Sequence, residues 1–169
     1  MRRDWLRPDW DPGLTLAHLP LEPLLGRGIK ALLLDVDRTL LPGRDVALPA
    51  SVLRWAKSAQ RHTDLYLISN NPSRQRIGAV AEQLGIGFTS SASKPRRGAI
   101  RRVIETLNFK PEQIAMVGDR VFTDVLVGNR LGLYTVLVRP LSADGTPCRR
   151  DRFQVFERQL ARWLGAGQA

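Results

Sequence analysis

Short apolar runs alternate along this chain with longer stretches in which apolar residues recur every three or four positions. The runs fall at 31–34, 65–68, 114–117 and 134–138, the last with Thr135 as its one polar member. Runs of four or five such residues suit strands buried on both faces, as in the middle of a parallel sheet. The stretches at 49–61, 74–84, 94–107 and 123–130 predict helices. Val52, Leu53 and Ala56 stripe the first, and Ala99, Ile100, Val103, Ile104 and Leu107 the third. Pro49 and Ser51 suit a helix start, and Gly85 a helix end. A short strand is expected at 87–89, a short helix at 21–25 and a last helix at 152–164. Strands alternating with helices at this spacing predict an α/β fold with a central parallel sheet and right-handed crossovers. Residues 1–28 form a Pro- and Trp-rich lead in which Trp5, Leu6 and Trp10 are expected to cover a sheet edge. Trp55 and Trp163 are expected in the core.

Four of the predicted boundaries carry polar groups of one chemical kind. Asp35 and Asp37 follow the first strand, Ser69 and Asn70 the second, Lys94 stands at the expected start of the third helix, and Asp119 follows Gly118 with Asp124 five residues on. Open α/β sheets build their sites outside the carboxyl ends of the strands, so all four groups belong to one rim. Two carboxylates on one rim suit a hard divalent cation and a phosphoryl group: one can bind Mg²⁺ and attack phosphorus, the other can trade a proton with the leaving oxygen. Ser69 and Asn70 can grip phosphate oxygens, Lys94 adds positive charge, and Asp119 gives the metal a second hard ligand. Asp124 can meet the metal through water or hold Lys94. Each group has a plainer reading as well, with Ser69 capping a helix, Lys94 solvated and Gly118-Asp119 a turn. Their occurrence together, in order, favours the phosphoryl site.

Charge and length narrow the picture further. The 169 residues suit one domain, and the 26 basic residues, all but four of them arginine, exceed the 16 acidic ones to leave a net +10. Such an excess attracts polyanions, whether nucleic acid, an anionic membrane or phosphorylated substrates. The lone Cys148 provides neither a disulfide nor a thiolate metal site within one chain, which suits a reducing compartment. Neither a signal peptide nor a membrane-spanning run is expected. His18 and His62 have no ligand-like spacing.

The set Asp35-Val-Asp37-Arg-Thr39-Leu40, Ser69-Asn70-Asn71, Lys94-Pro95 and Gly118-Asp119-Arg-Val-Phe-Thr-Asp124 resembles the four motifs of the haloacid dehalogenase (HAD) superfamily of phosphatases. The closer resemblance is to subfamily IIIA and its YqeG-like branch, which includes phosphatidylglycerophosphatases. The resemblance implies a three-layer Rossmann-like fold, dependence on Mg²⁺ and an aspartyl-phosphate intermediate. It implies Asp35 as nucleophile, Asp37 as general acid and base, Ser69, Asn70 and Lys94 as phosphate holders, and Asp35, Asp37, Asp119 and Asp124 around the metal. The branch usually carries Asn where this chain has Arg38. The stretches 40–65 and 71–94 leave no room for a cap domain, and an uncapped site suits a phosphate presented on something large. The expected activity is that of a phosphatidylglycerophosphate phosphatase in the cytoplasm, in peripheral contact with the inner face of an anionic membrane. The alternatives are a HAD phosphatase for a phosphoprotein, nucleotide or sugar phosphate, and a non-catalytic basic module for nucleic acid, which the retained site residues disfavour.

Residues 141–169 read as a loop and an amphipathic helix. Phe153, Phe156, Leu160, Trp163 and Leu164 share one helical face, flanked by Arg149, Arg150, Arg152, Arg158 and Arg162. This face is expected to pack on the sheet, the alternative being a bilayer interface.

Overall fold

The computed structural model describes residues 4–142, 146–148 and 151–166, the last segment with side chains through 164. Five strands form one parallel sheet: β1 (Ala31–Leu34), β2 (Asp64–Ile68), β3 (Gly87–Thr89), β4 (Ile114–Gly118) and β5 (Tyr134–Leu137), in the order β3-β2-β1-β4-β5. The chain steps outward from β1 to β3, returns across the sheet to β4 and continues to β5. Its winding therefore reverses between β1 and β4, where an open α/β sheet leaves a crevice at the carboxyl ends of its strands. Leu34 pairs with Leu67 on one side and Val117 on the other, so these three strand ends lie level.

Alternate residues of each strand face opposite layers. Leu32, Leu34, Leu67 and Val117 pack against α2 (Ala50–Ala59) and α3 (Arg74–Leu84), with Leu24 of the short α1 (Glu22–Gly26) on the same side. Ala31, Leu33, Ile68 and Met116 pack against α4 (Gly98–Leu107) and α5 (Leu126–Leu131). Trp55 is buried as expected, and its indole N–H donates to the Leu19 carbonyl at 2.8 Å. The N-terminal lead runs beside β5, with the Trp10 N–H donating to Thr135 O at 3.0 Å and the Leu137 N–H to Trp10 O at 2.9 Å. An edge covered in this way offers no template to another strand. Between β1 and β2 there is one helix, α2, and between β2 and α4 only α3 and β3, so neither segment holds a cap domain. No helix among the described residues is long and apolar enough to cross a membrane.

Three expectations are corrected. The third helix begins at Gly98, so Lys94 lies in the loop ahead of it. The Asn70 side chain holds that loop open by accepting the Lys94 N–H at 2.7 Å and donating to the Lys94 carbonyl at 3.0 Å. The expected helix at 123–130 starts as one wide turn, Val121–Val125, which continues into α5. The last helix, α6 (Arg152–Ala161), does not turn its apolar face to the sheet: Gln154, Glu157 and Ala161 are buried, while Phe153 and Phe156 stand in solvent. Trp163, just beyond it, is 82% exposed rather than in the core. Arg149 and Arg150 lie outside the described residues.

Candidate active site

Asp35 directly follows β1, and its N–H donates to the Val117 carbonyl at 2.9 Å, so the backbone ladder itself holds its place. Its Oδ1 accepts from Lys94 Nζ at 2.6 Å and its Oδ2 from the Thr39 hydroxyl at 3.3 Å. The same ammonium donates to Asp124 Oδ1 at 2.6 Å and to the Ile68 carbonyl at 3.0 Å, which engages all three of its protons. Burial alone would lower the Lys94 pKa, but Asp124 and Asp35 outweigh it and hold the lysine charged. For Asp35 burial dominates: it pushes the carboxyl up to about 6, against the pull of Lys94.

Asp119 is buried beside them, and neither of its carboxylate oxygens has a hydrogen-bond partner. The nearest cation is the Arg38 guanidinium, its Nε 3.9 Å from Asp119 Oδ2. Burial, with Asp35 and Asp124 adding repulsion, pushes the Asp119 carboxyl up to about 8. Asp124 reaches the cluster because the wide turn at 121–125 points it back toward β4, where its Oδ2 also accepts the Arg120 N–H at 3.2 Å. A Cβ at position 118 would overlap the Asp124 carboxylate, so glycine before Asp119 is a packing requirement. Asp35, Asp119 and Asp124 each offer an oxygen within 4.8 Å of the others. Three buried carboxylates against one buried ammonium leave an excess of negative charge, and the unpartnered Asp119 oxygens aim into it. A hard divalent cation fits that donor set and would relieve both deficits.

Asp37 stands outside this cluster. Its Oδ1 pairs with Arg76 of α3 at 2.7 Å and its Oδ2 accepts from the Ser69 hydroxyl at 3.4 Å. The Asp37 carboxylate is therefore held by Arg76 and Ser69 rather than by Lys94. Ser69 does not cap α3, since Ser73 does so by accepting the Arg76 N–H at 3.2 Å. Instead Ser69 Oγ accepts the Asn71 N–H at 3.0 Å and faces Asp37. The rim thus holds all seven expected residues, with Asn70 turned to bracing the Lys94 loop.

Several further contributors were not singled out by sequence reasoning. Arg76 clamps the loop after β1 as well as Asp37, its guanidinium donating to the Gly43 carbonyl at 2.8 Å and the Arg44 carbonyl at 3.0 Å. Gln154 of α6 donates to the Asp119 carbonyl at 2.6 Å and the Val138 carbonyl at 3.0 Å, and Glu157 accepts the Val121 N–H at 3.1 Å. Polar residues on helices carry no periodic signal of such contacts, which depend on what lies opposite. Arg38 has φ +67°, in the left-handed region that Asn enters more readily than Arg. The Arg38 guanidinium reaches Asp151 at 2.7 Å, tying the cap of α6 to the rim.

The rim is open. A cavity of about 640 Å³ lies at the other end of the sheet, lined by residues such as Arg7, Arg27, Glu112 and Tyr134.

Comparison with known proteins agrees with this geometry. Residues 91–150 match the family model described as HAD-hydrolase-like. The chain is 33% identical over 148 residues to the "Probable phosphatase YqeG" of Bacillus subtilis, covering 87% of this chain and 86% of that protein. It is 29% identical over 164 residues to the chloroplastic phosphatidylglycerophosphate phosphatase 1 of Chlamydomonas reinhardtii, covering 90% of this chain but only 60% of that longer relative. Its fold resembles the cobalt-bound deoxy-D-mannose-octulosonate 8-phosphate phosphatase of Haemophilus influenzae, with TM-score 0.52 and 18% identity over 65% of this chain and 68% of the other. The rim geometry, the motif set and the YqeG similarity along most of both chains lead to one assignment: the chain belongs to the haloacid dehalogenase superfamily, in its YqeG-like phosphatase branch.

Proposed function

We propose that this HAD phosphatase is a Mg²⁺-dependent phosphomonoester hydrolase that works through an aspartyl phosphate on Asp35, and that its substrate is phosphatidylglycerophosphate. The observation that carries the chemistry is the buried Asp119, unpartnered beside Asp35 and Asp124. A buried excess of carboxylates costs several kcal/mol and is retained where a cation uses it. Asp35, Asp119 and Asp124 would hold the Mg²⁺, which would supply charge neutralisation for the phosphoryl oxygens.

In the first half-reaction an Asp35 carboxylate oxygen attacks phosphorus. The P–O bond to the alcohol breaks, and the leaving oxygen takes its proton from Asp37. Water then attacks the phosphorus of the acyl phosphate and gives a proton to Asp37, and the P–O bond to Asp35 breaks to release inorganic phosphate. Ser69 Oγ and the Asn70 main-chain N–H hold the phosphoryl oxygens, and Lys94 sets its charge beside them. Arg76 orients Asp37 between these roles.

The lipid assignment rests on two supports, the named activity of the algal relative and the uncapped rim. An open site admits a head group that stays attached to a bilayer, and on this reading the protein works at the inner, cytoplasmic face of an anionic membrane. The test is phosphate release with Mg²⁺ and with chelator, on phosphatidylglycerophosphate in mixed micelles beside soluble phosphomonoesters. The proposal expects activity that needs Mg²⁺ and prefers the lipid. Full activity in chelator overturns the chemistry, and faster turnover of a soluble nucleotide or sugar phosphate overturns the lipid assignment.

A further inference from the structure

Helix α6 is mounted in the reverse of the usual sense. Its inward positions, Gln154 and Glu157, are polar and 1% and 2% exposed, whereas Phe153, Phe156, Trp163 and Leu164 are 47%, 59%, 82% and 55% exposed on the outward side. The reason lies in the backbone beneath it. The Asp119 and Val138 carbonyls take the two protons of the Gln154 amide, and the Val121 N–H needs the Glu157 carboxylate. Rotating α6 to bury its phenylalanines would strand three buried main-chain groups, each worth about 1–3 kcal/mol when unpaired. The apolar face is thus held outward by polar contacts.

The surface so presented adjoins the active site and is rich in arginine. Arg38 lies 3.9 Å from Asp119 and pairs with Asp151, the N-cap of α6. Arg120, the neighbour of Asp119, stacks over the Phe153 ring at 4.6 Å. Arg152 and Arg162 are exposed along the helix, and Arg158 pairs with Asp11 on its inner flank. The helix has a single acidic residue, Glu157, and it is buried. Aromatic and aliphatic side chains bordered by arginines, with Asp151, Glu157 and Asp11 each paired to an arginine and Arg152 and Arg162 exposed, match the boundary between acyl chains and anionic head groups. A protein partner would more commonly be met by mixed charge at the rim.

We propose that the outward face of α6 and the turn that follows it, with Phe153, Phe156, Leu160, Trp163 and Leu164 at its centre, is a docking surface for an anionic bilayer, seating the open rim against the head groups. The proposal deepens the lipid-phosphatase reading by naming the surface that brings the enzyme to its substrate. It predicts binding that needs no turnover.

The test is co-sedimentation of the full chain with vesicles of phosphatidylcholine alone or mixed with phosphatidylglycerol, at low and at high salt, together with the tryptophan emission of the chain, in which the share of Trp163 is the difference from a Trp163→Phe variant. Binding to the anionic vesicles, loss of that binding at high salt, and a blue shift on binding are expected. Each arginine near an anionic surface is worth about fivefold in partition, so Arg152→Ala with Arg162→Ala weakens binding roughly 30-fold. Phe156→Ser with Trp163→Ser weakens it at least as much while leaving hydrolysis of soluble p-nitrophenyl phosphate unchanged. No partition at low salt, or partition that neither double variant alters, overturns the proposal. So does a concentration-dependent dimer, seen by analytical ultracentrifugation, that Phe156→Ser with Trp163→Ser abolishes, since the face is then covered by a second copy. Hydrolysis of p-nitrophenyl phosphate reports separately on the phosphatase reading: a chain that hydrolyses it but ignores vesicles has lost only the docking surface.

Discussion

Replacing Asp119 by Asn removes one buried charge and almost no volume, so its effect on the metal-free protein isolates the electrostatics of the rim. The folded Asp119 carboxyl titrates at about 8, against an ordinary 3.8, because of burial and then of Asp35 and Asp124. Below pH 3.8 the folded and unfolded chains both hold this proton, and Asp119 costs nothing. As pH rises the unfolded chain releases the proton while the folded one keeps it, so stability falls by about 1.4 kcal/mol per pH unit until the folded group also ionises. Between pH 5 and pH 8 this amounts to about 4 kcal/mol for Asp119. Asp35, raised to about 6 by burial, contributes about 1 kcal/mol more in the same direction. Such a loss is a large part of the stability of a domain this size. Urea unfolding of chelator-treated protein at four pH values from 5 to 8 measures it. The wild type loses stability steeply over this range, Asp119→Asn loses only the smaller share from Asp35 and other common groups, and saturating Mg²⁺ flattens the wild-type curve. Parallel curves for wild type and variant would refute the reasoning, because Asp119 would then carry no buried, uncompensated charge.

Asp35→Asn is expected to keep the fold and lose roughly three orders of magnitude or more in turnover, since an amide forms no acyl phosphate; circular dichroism and phosphate release check both halves. Gly118→Ala drives a methyl into the Asp124 carboxylate and is expected to cost about 1–3 kcal/mol in urea unfolding, together with weaker Mg²⁺ binding by calorimetry. Arg76→Ala frees Asp37 and the loop at 43–45 and should lower kcat at least about tenfold in steady-state assays, with Arg76→Lys recovering little because an ammonium cannot reproduce the fork.

The strands and their polar ends were legible because a parallel sheet demands unbroken apolar runs, and a carboxylate just beyond such a run has few places to go. Asp35, Ser69 and Asp119 could therefore be assigned to one rim from spacing alone, and Lys94 and Asp124 joined them through the motif order. Which strands are neighbours is not written in those runs. The reversal between β1 and β4, which sets Asp35 against Asp119, comes from the packing of α2 and α3 on one face and α4 and α5 on the other. The pairing of Arg76 with Asp37, the left-handed backbone at Arg38 and the isolation of the Asp119 oxygens likewise exist only once the segments meet. Helix α6 marks the limit most clearly. Its apolar period predicts an amphipathic helix correctly but cannot say which face turns inward. Hydrophobic burial would choose the phenylalanines, and the unpaired backbone groups at Asp119, Val121 and Val138 chose Gln154 and Glu157, because a stranded buried hydrogen-bonding group costs more than an exposed aromatic ring gains.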